Sequence, residues 1–203
     1  LAKLKAAGLS LNIQKTKFFQ TEIPFLGNII CKGKVKPDPN KIKAIVEFEQ
    51  PDTIRELRSF LGLANFCSEF IEGFATIAGP LTDLLKGETQ TSRKKIVWTE
   101  NSSNAFTILK DQIAQITSRA QPDRDKEFIL TTDASDIAMG AVLSQRDDQG
   151  QEQMISCFSR KFTKSQLNYP TTDKEATAID ESIKHCNHFL RGKPRILKTD
   201  HKA

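Results

Sequence analysis

No apolar run in the sequence approaches the length a helix needs to cross a bilayer, which argues against a membrane protein. An initiator Met is also missing: the chain opens Leu1-Ala2-Lys3-Leu4-Lys5, without the continuous apolar core of a signal peptide, and reads as the middle of something longer. The four cysteines, Cys31, Cys67, Cys157 and Cys186, lie far apart with no Cys-x-x-Cys among them. That spacing points to neither a disulfide framework nor a zinc knuckle and fits a reducing compartment. Internal repeats and low-complexity tracts are absent as well. What is present is an ordinary globular composition, 38% hydrophobic and 27% charged over 203 residues, enough for one large domain or two small ones.

The net charge of +5 is not shared evenly. Residues 1–120 carry 17 Lys and Arg against 12 Asp and Glu, whereas residues 121–203 carry 13 against 13. Within the basic half, Lys32, Lys34, Lys36, Lys41 and Lys43 crowd together opposed only by Asp38. Such a group attracts a phosphate backbone, although charge alone describes a solvated lysine-rich turn equally well.

The periodicity divides the chain into three. Residues 1–37 read as short strands, Leu11–Ile13, Lys17–Phe19 and Ile23–Ile30, with bends at Gly27 and Gly33. Residues 38–120 read as helices. Asp38-Pro39 opens one that carries Ile42, Ile45 and Val46 on a face and stops before Pro51. Thr53-Ile54-Arg55-Glu56 has capping-box spacing before Leu57, Leu61 and Ala64. Pro80 starts a short helix toward Gly87, and Phe106, Leu109, Ile113 and Ile116 space as an amphipathic one. A charged, proline-containing boundary follows at Ala120–Asp125. Residues 121–203 then give strands at Phe128–Thr132, Ala141–Ser144 and Met154–Phe162, a helix from about Thr172 with Ala176, Ile179, Ile183, Cys186 and Leu190 on its buried face, and a strand at Pro194–Thr199. The order β-β-β-α-β implies a mixed sheet in which the strand after the helix runs parallel to an earlier one.

In that order Asp133 closes the first strand, Glu175 sits in the first turn of the helix and Asp200 closes the last strand. Ligands gather beyond the carboxyl ends of parallel strands, and hard oxygen donors without His or Cys favour Mg²⁺ or Mn²⁺. Taken singly, each carboxylate also has a plain structural use: a turn, a helix-dipole partner, an exposed strand end. His185-Cys186-Asn187-His188 fans around a helix and has no second ligand pair. Phe60, Phe66, Phe70 and Phe74 stand at near-helical spacing and read as core rather than base-stacking platforms, and Trp98 as a packing anchor.

Longer motifs carry a resemblance. Phe25-Leu26-Gly27-Asn28-Ile29-Ile30, Pro37-Asp38-Pro39-Asn40-Lys41 and Glu56-Leu57-Arg58-Ser59-Phe60-Leu61-Gly62-Leu63 resemble the end of the palm and the thumb of gypsy-type retrotransposon reverse transcriptases. Thr132-Asp133-Ala134-Ser135, Gly140-Ala141-Val142-Leu143-Ser144-Gln145, Ser159-Arg160-Lys161, Tyr169-Pro170, Glu175 and Thr199-Asp200-His201 resemble that family's ribonuclease H domain, in the same order. The resemblance implies an α+β and α/β chain: palm strands over residues 1–37, thumb and connecting helices over 38–120, and a partial ribonuclease H-like mixed sheet over 121–203. It implies that Asp133, Glu175 and Asp200 are three of four acidic ligands for two Mg²⁺ ions, with Mn²⁺ as the alternative, that cleave RNA in an RNA–DNA hybrid. The polymerase aspartates are then expected upstream of Leu1, the fourth ligand downstream of Ala203, and the segment is expected to cleave weakly by itself. Lys32, Lys34, Lys36, Lys41, Lys43 and Arg160 become candidate contacts to the hybrid or to a primer–template duplex, the rest of the Pol polyprotein the expected partner, and a cytoplasmic virus-like particle with a nuclear stage at integration the expected place. The departure from the pattern is Ser165-Gln166-Leu167, where the family often has an acidic residue. The rival reading is a decayed or domesticated remnant that only binds nucleic acid or protein.

Overall fold

The computed structural model describes residues 2–89 and 91–199. A short helix α1 (Ala2–Ala6) precedes a hairpin of β1 (Glu22–Phe25) and β2 (Asn28–Cys31), and β3 (Lys34–Pro37) continues the antiparallel sheet. The span Ile23–Ile30 is thus two strands, not one, because Leu26 and Gly27 both take positive φ (49° and 80°) and reverse the chain. Leu11–Ile13 and Lys17–Phe19 form no strand: their apolar residues have no neighbouring strand to pair with, and Phe19 also has positive φ.

The helical part follows its caps. Asp38 accepts from the Asn40 N–H and starts α2 (Pro39–Val46). Thr53 and Glu56 complete a reciprocal capping box at the head of α3 (Ile54–Asn65). After a 3₁₀ turn at Ser68–Phe70 come α4 (Phe74–Ile77), α5 (Gly79–Asp83) and the long α6 (Glu100–Ala114), which Thr99 and Ser102 cap in the same reciprocal way. Leu57, Phe60, Leu81, Leu109 and Ile113 are fully buried in the core these helices share. Trp98 closes one side, its indole N–H donating to the Pro51 carbonyl at 2.9 Å and its ring edge-on to Phe106.

β4 (Arg119–Ala120) pairs back with β3 and completes the first sheet. The second sheet then begins: β5 (Phe128–Ala134), β6 (Ala138–Arg146) and β7 (Glu152–Lys161) are antiparallel neighbours, and α7 (Thr171–His185) with α8 (Asn187–Leu190) leads to β8 (Arg195–Thr199). The order is β7-β6-β5-β8, with β8 parallel to β5, so the mixed sheet read from the sequence is present. Leu130, Leu143 and Ile155 pack with Cys186 and Leu190 on one face. On the buried side of the helix Cys186 and Leu190 are buried and Ile183 packs against the core, as the sequence reading has it, but at the start of α7 Ala178 and Ser182 are the buried residues and Ala176 is exposed. The sheet selects the stripe that includes Ala178 because Met139 and Phe162 need a small partner there.

Segment and sheet are fastened together. Arg119 bonds Glu69 at 2.5 Å and the Ile155 carbonyl at 3.2 Å. Ser159 accepts from the Ala75 N–H, and Lys161 reaches the Gly79 carbonyl and Asp83.

Candidate active site

The ladder holds Asp133 one residue from the end of β5, opposite Gly140, and leaves its side chain exposed. Alternation along the strand puts it on the face opposite Leu130 and Ala134, which pack toward α7. A cleft of about 100 Å³ opens there, lined by Asp133, Ser135 and Gly140 and, from the connecting segment, by Glu72 and Thr76. The Ser135 hydroxyl donates to the Ala138 carbonyl and accepts from its N–H, which fixes the turn beyond the strand.

Glu175 lies on the buried side of α7, 6% exposed. Its neighbour Lys174, 8% exposed, donates to the Asp136 carbonyl at 3.2 Å and pairs with the Asp136 carboxylate at 3.4 Å. That bond docks the start of the helix on the turn that follows Asp133, so Asp133 and Glu175 occupy the same end of the sheet. Asp200 and His201 lie outside the described residues. Among the described residues no group of three or more His, Cys, Asp or Glu is placed to hold a metal ion. β8, however, runs parallel to β5 with Thr199 opposite Thr132, the residues immediately before Asp200 and Asp133.

The basic candidates separate. Lys36 pairs with Glu22 at 3.0 Å, and that hydrogen bond raises its pKa. Lys43 lies 3.8 Å from Glu47. Lys41 stands over the Phe66 ring at 3.6 Å and against Gly27, where any Cβ would collide with its ammonium group. Arg160 is held by Glu181 on α7 at 2.7 Å. Lys32 and Lys34 face a separate basic cleft on the seam between the two sheets.

Other nucleophiles and ligands are structural. Burial pushes the Cys157 thiol up to about 12 and those of Cys67 and Cys186 up to about 11, far from a reactive thiolate. His185 stacks on Phe158 at 4.6 Å, and a ring nitrogen of His188 is 3.2 Å from the His185 carbonyl oxygen. Phe60, Phe70 and Phe74 are buried. Sequence reasoning missed Lys174 and Glu72: the first is one of many lysines, and the second meets Asp133 only across a long separation that no local pattern reports.

Comparison with known proteins agrees on one family. The family described as an RNase H-like domain found in reverse transcriptase matches residues 98–197. The retrovirus-related Pol polyprotein from transposon opus of Drosophila melanogaster is 39% identical over 208 residues, covering 99% of this chain and 21% of its own length. The corresponding polyprotein from transposon gypsy of the same fly is 38% identical over 203 residues, covering 96% of this chain and 19% of its own. The chain thus spans about a fifth of the length of these relatives. Among solved structures, the foamy viral protease-reverse transcriptase in complex with RNA/DNA hybrid superposes with a TM-score of 0.76 at 21% identity, over 94% of this chain and 25% of that one.

Proposed function

The chain belongs to the gypsy-type retrotransposon Pol family, with an RNase H-like domain found in reverse transcriptase at residues 98–197, and on that premise we propose that its RNase H-like part hydrolyses RNA in an RNA–DNA hybrid within the longer reverse transcriptase, and only weakly by itself, with Asp133, Glu175 and Asp200 as its divalent-metal ligands. The observation that carries the reading is the parallel register of β5 and β8, whose last described pair, Thr132 and Thr199, immediately precedes the two aspartates in sequence. Ligands collect at this end of parallel strands. The donor chemistry fits: only carboxylates, one exposed at a cleft and one on a buried helix face, a hard-oxygen set suited to Mg²⁺ or Mn²⁺. When bound, such ions stabilise the attacking and leaving oxygens of a phosphodiester.

The chain's own residues supply position. The β5–β6 ladder and the Ser135 turn fix the Asp133 backbone, and the Lys174–Asp136 contact sets the start of α7, which carries Glu175, against the same turn. The helical segment forms the other wall through Glu72 and Thr76 and is tied to β7 by the Ala75–Ser159 and Lys161–Asp83 contacts. In this reading residues 1–37 are palm, residues 38–120 thumb and connecting helices, and residues 121–203 the hydrolytic part. Hybrid and primer–template duplex are the ligands, held by phosphate contacts without base readout. Lys32 and Lys34 are free for such contacts, while Lys36, Lys41, Lys43 and Arg160 would have to leave their present partners.

The test is cleavage of a labelled hybrid with Mg²⁺ by the reverse transcriptase–ribonuclease H chain that carries this segment, compared with Asp133→Asn and Glu175→Gln. Both substitutions are expected to reduce cleavage to background while hybrid binding survives. Undiminished cleavage by Asp133→Asn removes that residue from the site. Binding without cleavage by the unaltered chain favours the rival reading of a binding module.

A further inference from the structure

A cleft of about 890 Å³ lies on the seam between the two sheets, at the opposite end of β5 from Asp133. Its walls come from the β2–β3 turn, the segment 117–126 and the β6–β7 hairpin. Of the cations that line it, Lys32, Lys34 and Arg124 have no carboxylate partner among the described residues, and Arg146 forms no salt bridge there but faces Glu152 across the β6–β7 ladder, where, beside the Lys198 hydrogen bond, its charge helps hold that carboxyl below its usual range. The nearby carboxylates are already committed. Asp147 accepts from the N–H groups of Gln149 and Gln151 and from the Gln153 side chain, and these bonds, the one from Gln151 foremost, keep its carboxyl below the usual range. Asp123 accepts from the Asp125 N–H, and Glu152 is claimed by Lys198.

The walls are also built rather than loose. Gln145, 4% exposed, donates to the carbonyls of Asp123 at 2.7 Å and Lys126 at 2.9 Å and accepts from the Asp123 N–H. The Gln121 N–H bonds the Gly33 carbonyl, which joins the segment to the β2–β3 turn, and Lys193 holds the Arg124 carbonyl. Unpaired cations are therefore presented on a fixed frame, which lowers the ordering cost of binding.

We propose that this cleft holds a single strand of nucleic acid by its phosphates, at a site separate from the carboxylates. The lining contains no aromatic ring, so bases have nothing to stack on and recognition rests on the backbone alone. Its volume lies within the roughly 300–1,000 Å³ of pockets that enclose a ligand, which suits a few nucleotides of one strand and not a duplex. An acidic peptide is the weaker fit, because the polar walls offer little to seat apolar side chains. The strand is one that hybrid hydrolysis leaves unpaired, so the inference rests on the proposed function. From Phe128 to Asp133 β5 runs five residue steps, about 17 Å at ~3.3 Å per residue, close enough for one strand to reach both.

The experiment measures binding of a fluorescein-labelled oligothymidylate to the whole chain across a salt series. Arg124→Glu with Arg146→Glu is expected to weaken binding at least tenfold and to flatten the log–log salt slope by about 1.4, at ~0.7 per phosphate on a single strand. Lys32→Gln with Lys34→Gln, on the opposite wall, shifts both quantities the same way and serves if the first variant does not fold. Hybrid cleavage at saturating substrate by the reverse transcriptase–ribonuclease H chain stays unchanged with Arg124→Glu and Arg146→Glu, whereas Asp133→Asn loses cleavage and keeps oligothymidylate binding, so failure of the strand site and failure of the hydrolytic reading give different patterns. Unchanged affinity and slope in either folded variant overturns the proposal. So does a polyglutamate peptide that binds the unaltered chain more tightly than the oligonucleotide and displaces it.

Discussion

The first sheet and the second are built from strands of similar character and end in opposite conditions. β1 is exposed at every position, and around it Leu11, Ile13, Phe18, Phe19, Ile23, Phe25 and Leu26 all face outward. In the second sheet Phe128, Leu130, Leu143 and Ile155 are at most 2% exposed. The strands do not cause the difference. The second sheet has a layer to bury against, α7 and α8 on one face and the segment 68–77 toward the other, whereas β1 has its ladder with β2 and the Lys36–Glu22 pair but joins no buried core among the described residues. An apolar strand stabilises a fold only when a second layer removes it from water, at roughly 25 cal/mol per Å².

Substitution on the two sheets should expose that contrast most strongly. Leu143→Ala opens a cavity in the second sheet and is expected to cost about 2–5 kcal/mol, while Ile23→Ala in β1 should stay within about 0.5 kcal/mol. Urea midpoints for the two variants check this. Equal costs would mean that β1 is covered in solution and would break the comparison.

A smaller effect is expected where the regions join. Arg119 is itself in β4 of the first sheet but spends its guanidinium on Glu69 and Ile155 and lies over the Phe70 ring. Arg119→Ala is expected to cost about 1.5–3 kcal/mol, the range for hydrogen bonds to charged groups. It should also separate two transitions that otherwise coincide: Trp98 fluorescence, which reports the helical core, and far-UV circular dichroism, which reports both parts. Coincident transitions in the variant would show that the helical core and the second sheet are held together by something other than this arginine.

The smallest effect lies at the head of α3. Thr53→Ala removes one half of the capping box and should cost about 1 kcal/mol. Glu56 forms the other half, its carboxyl held below the usual range by the backbone N–H groups of Asp52 and Thr53. A depressed folded pKa stabilises above the unfolded value, near 4.3, and that contribution is lost as pH falls through the folded value. Glu56→Gln should therefore lower Tm at neutral pH and converge with the unaltered chain in acid. A Tm difference that persists unchanged at low pH would assign the effect to lost packing instead.

The helices of the middle segment were legible residue by residue, because a cap is a local event: Asp38-Pro39 and Thr53–Glu56 announce their helices within four positions. The mixed sheet was legible from element order, since a strand returning after a helix has few places to go. The break of Ile23–Ile30 was half legible, through Gly27 but not Leu26, which accepts a left-handed conformation that its residue type disfavours. Of the candidate site, the places of Asp133 near the end of β5 and of Glu175 near the start of α7 were legible, while Asp200 lies outside the described residues. The arrangement of the site was not legible: the face on which Asp133 emerges depends on which side of the sheet α7 covers, and Glu72 reaches the same cleft only because the helical segment docks on β7.

By itself, then, the sequence determined the capped helices of the middle segment, the element order of the second sheet, and that Asp133 stands near the end of its strand and Glu175 near the start of its helix, because each depends on neighbours a few positions away. Tertiary structure alone decided which stripe of α7 is buried, which lysines are spent on Glu22, Glu47 and Phe66, and that Lys32 and Lys34 share a cleft with Arg124 and Arg146. Those outcomes depend on packing between residues distant in the chain, where steric fit and charge pairing act through space and leave no periodic mark in the sequence.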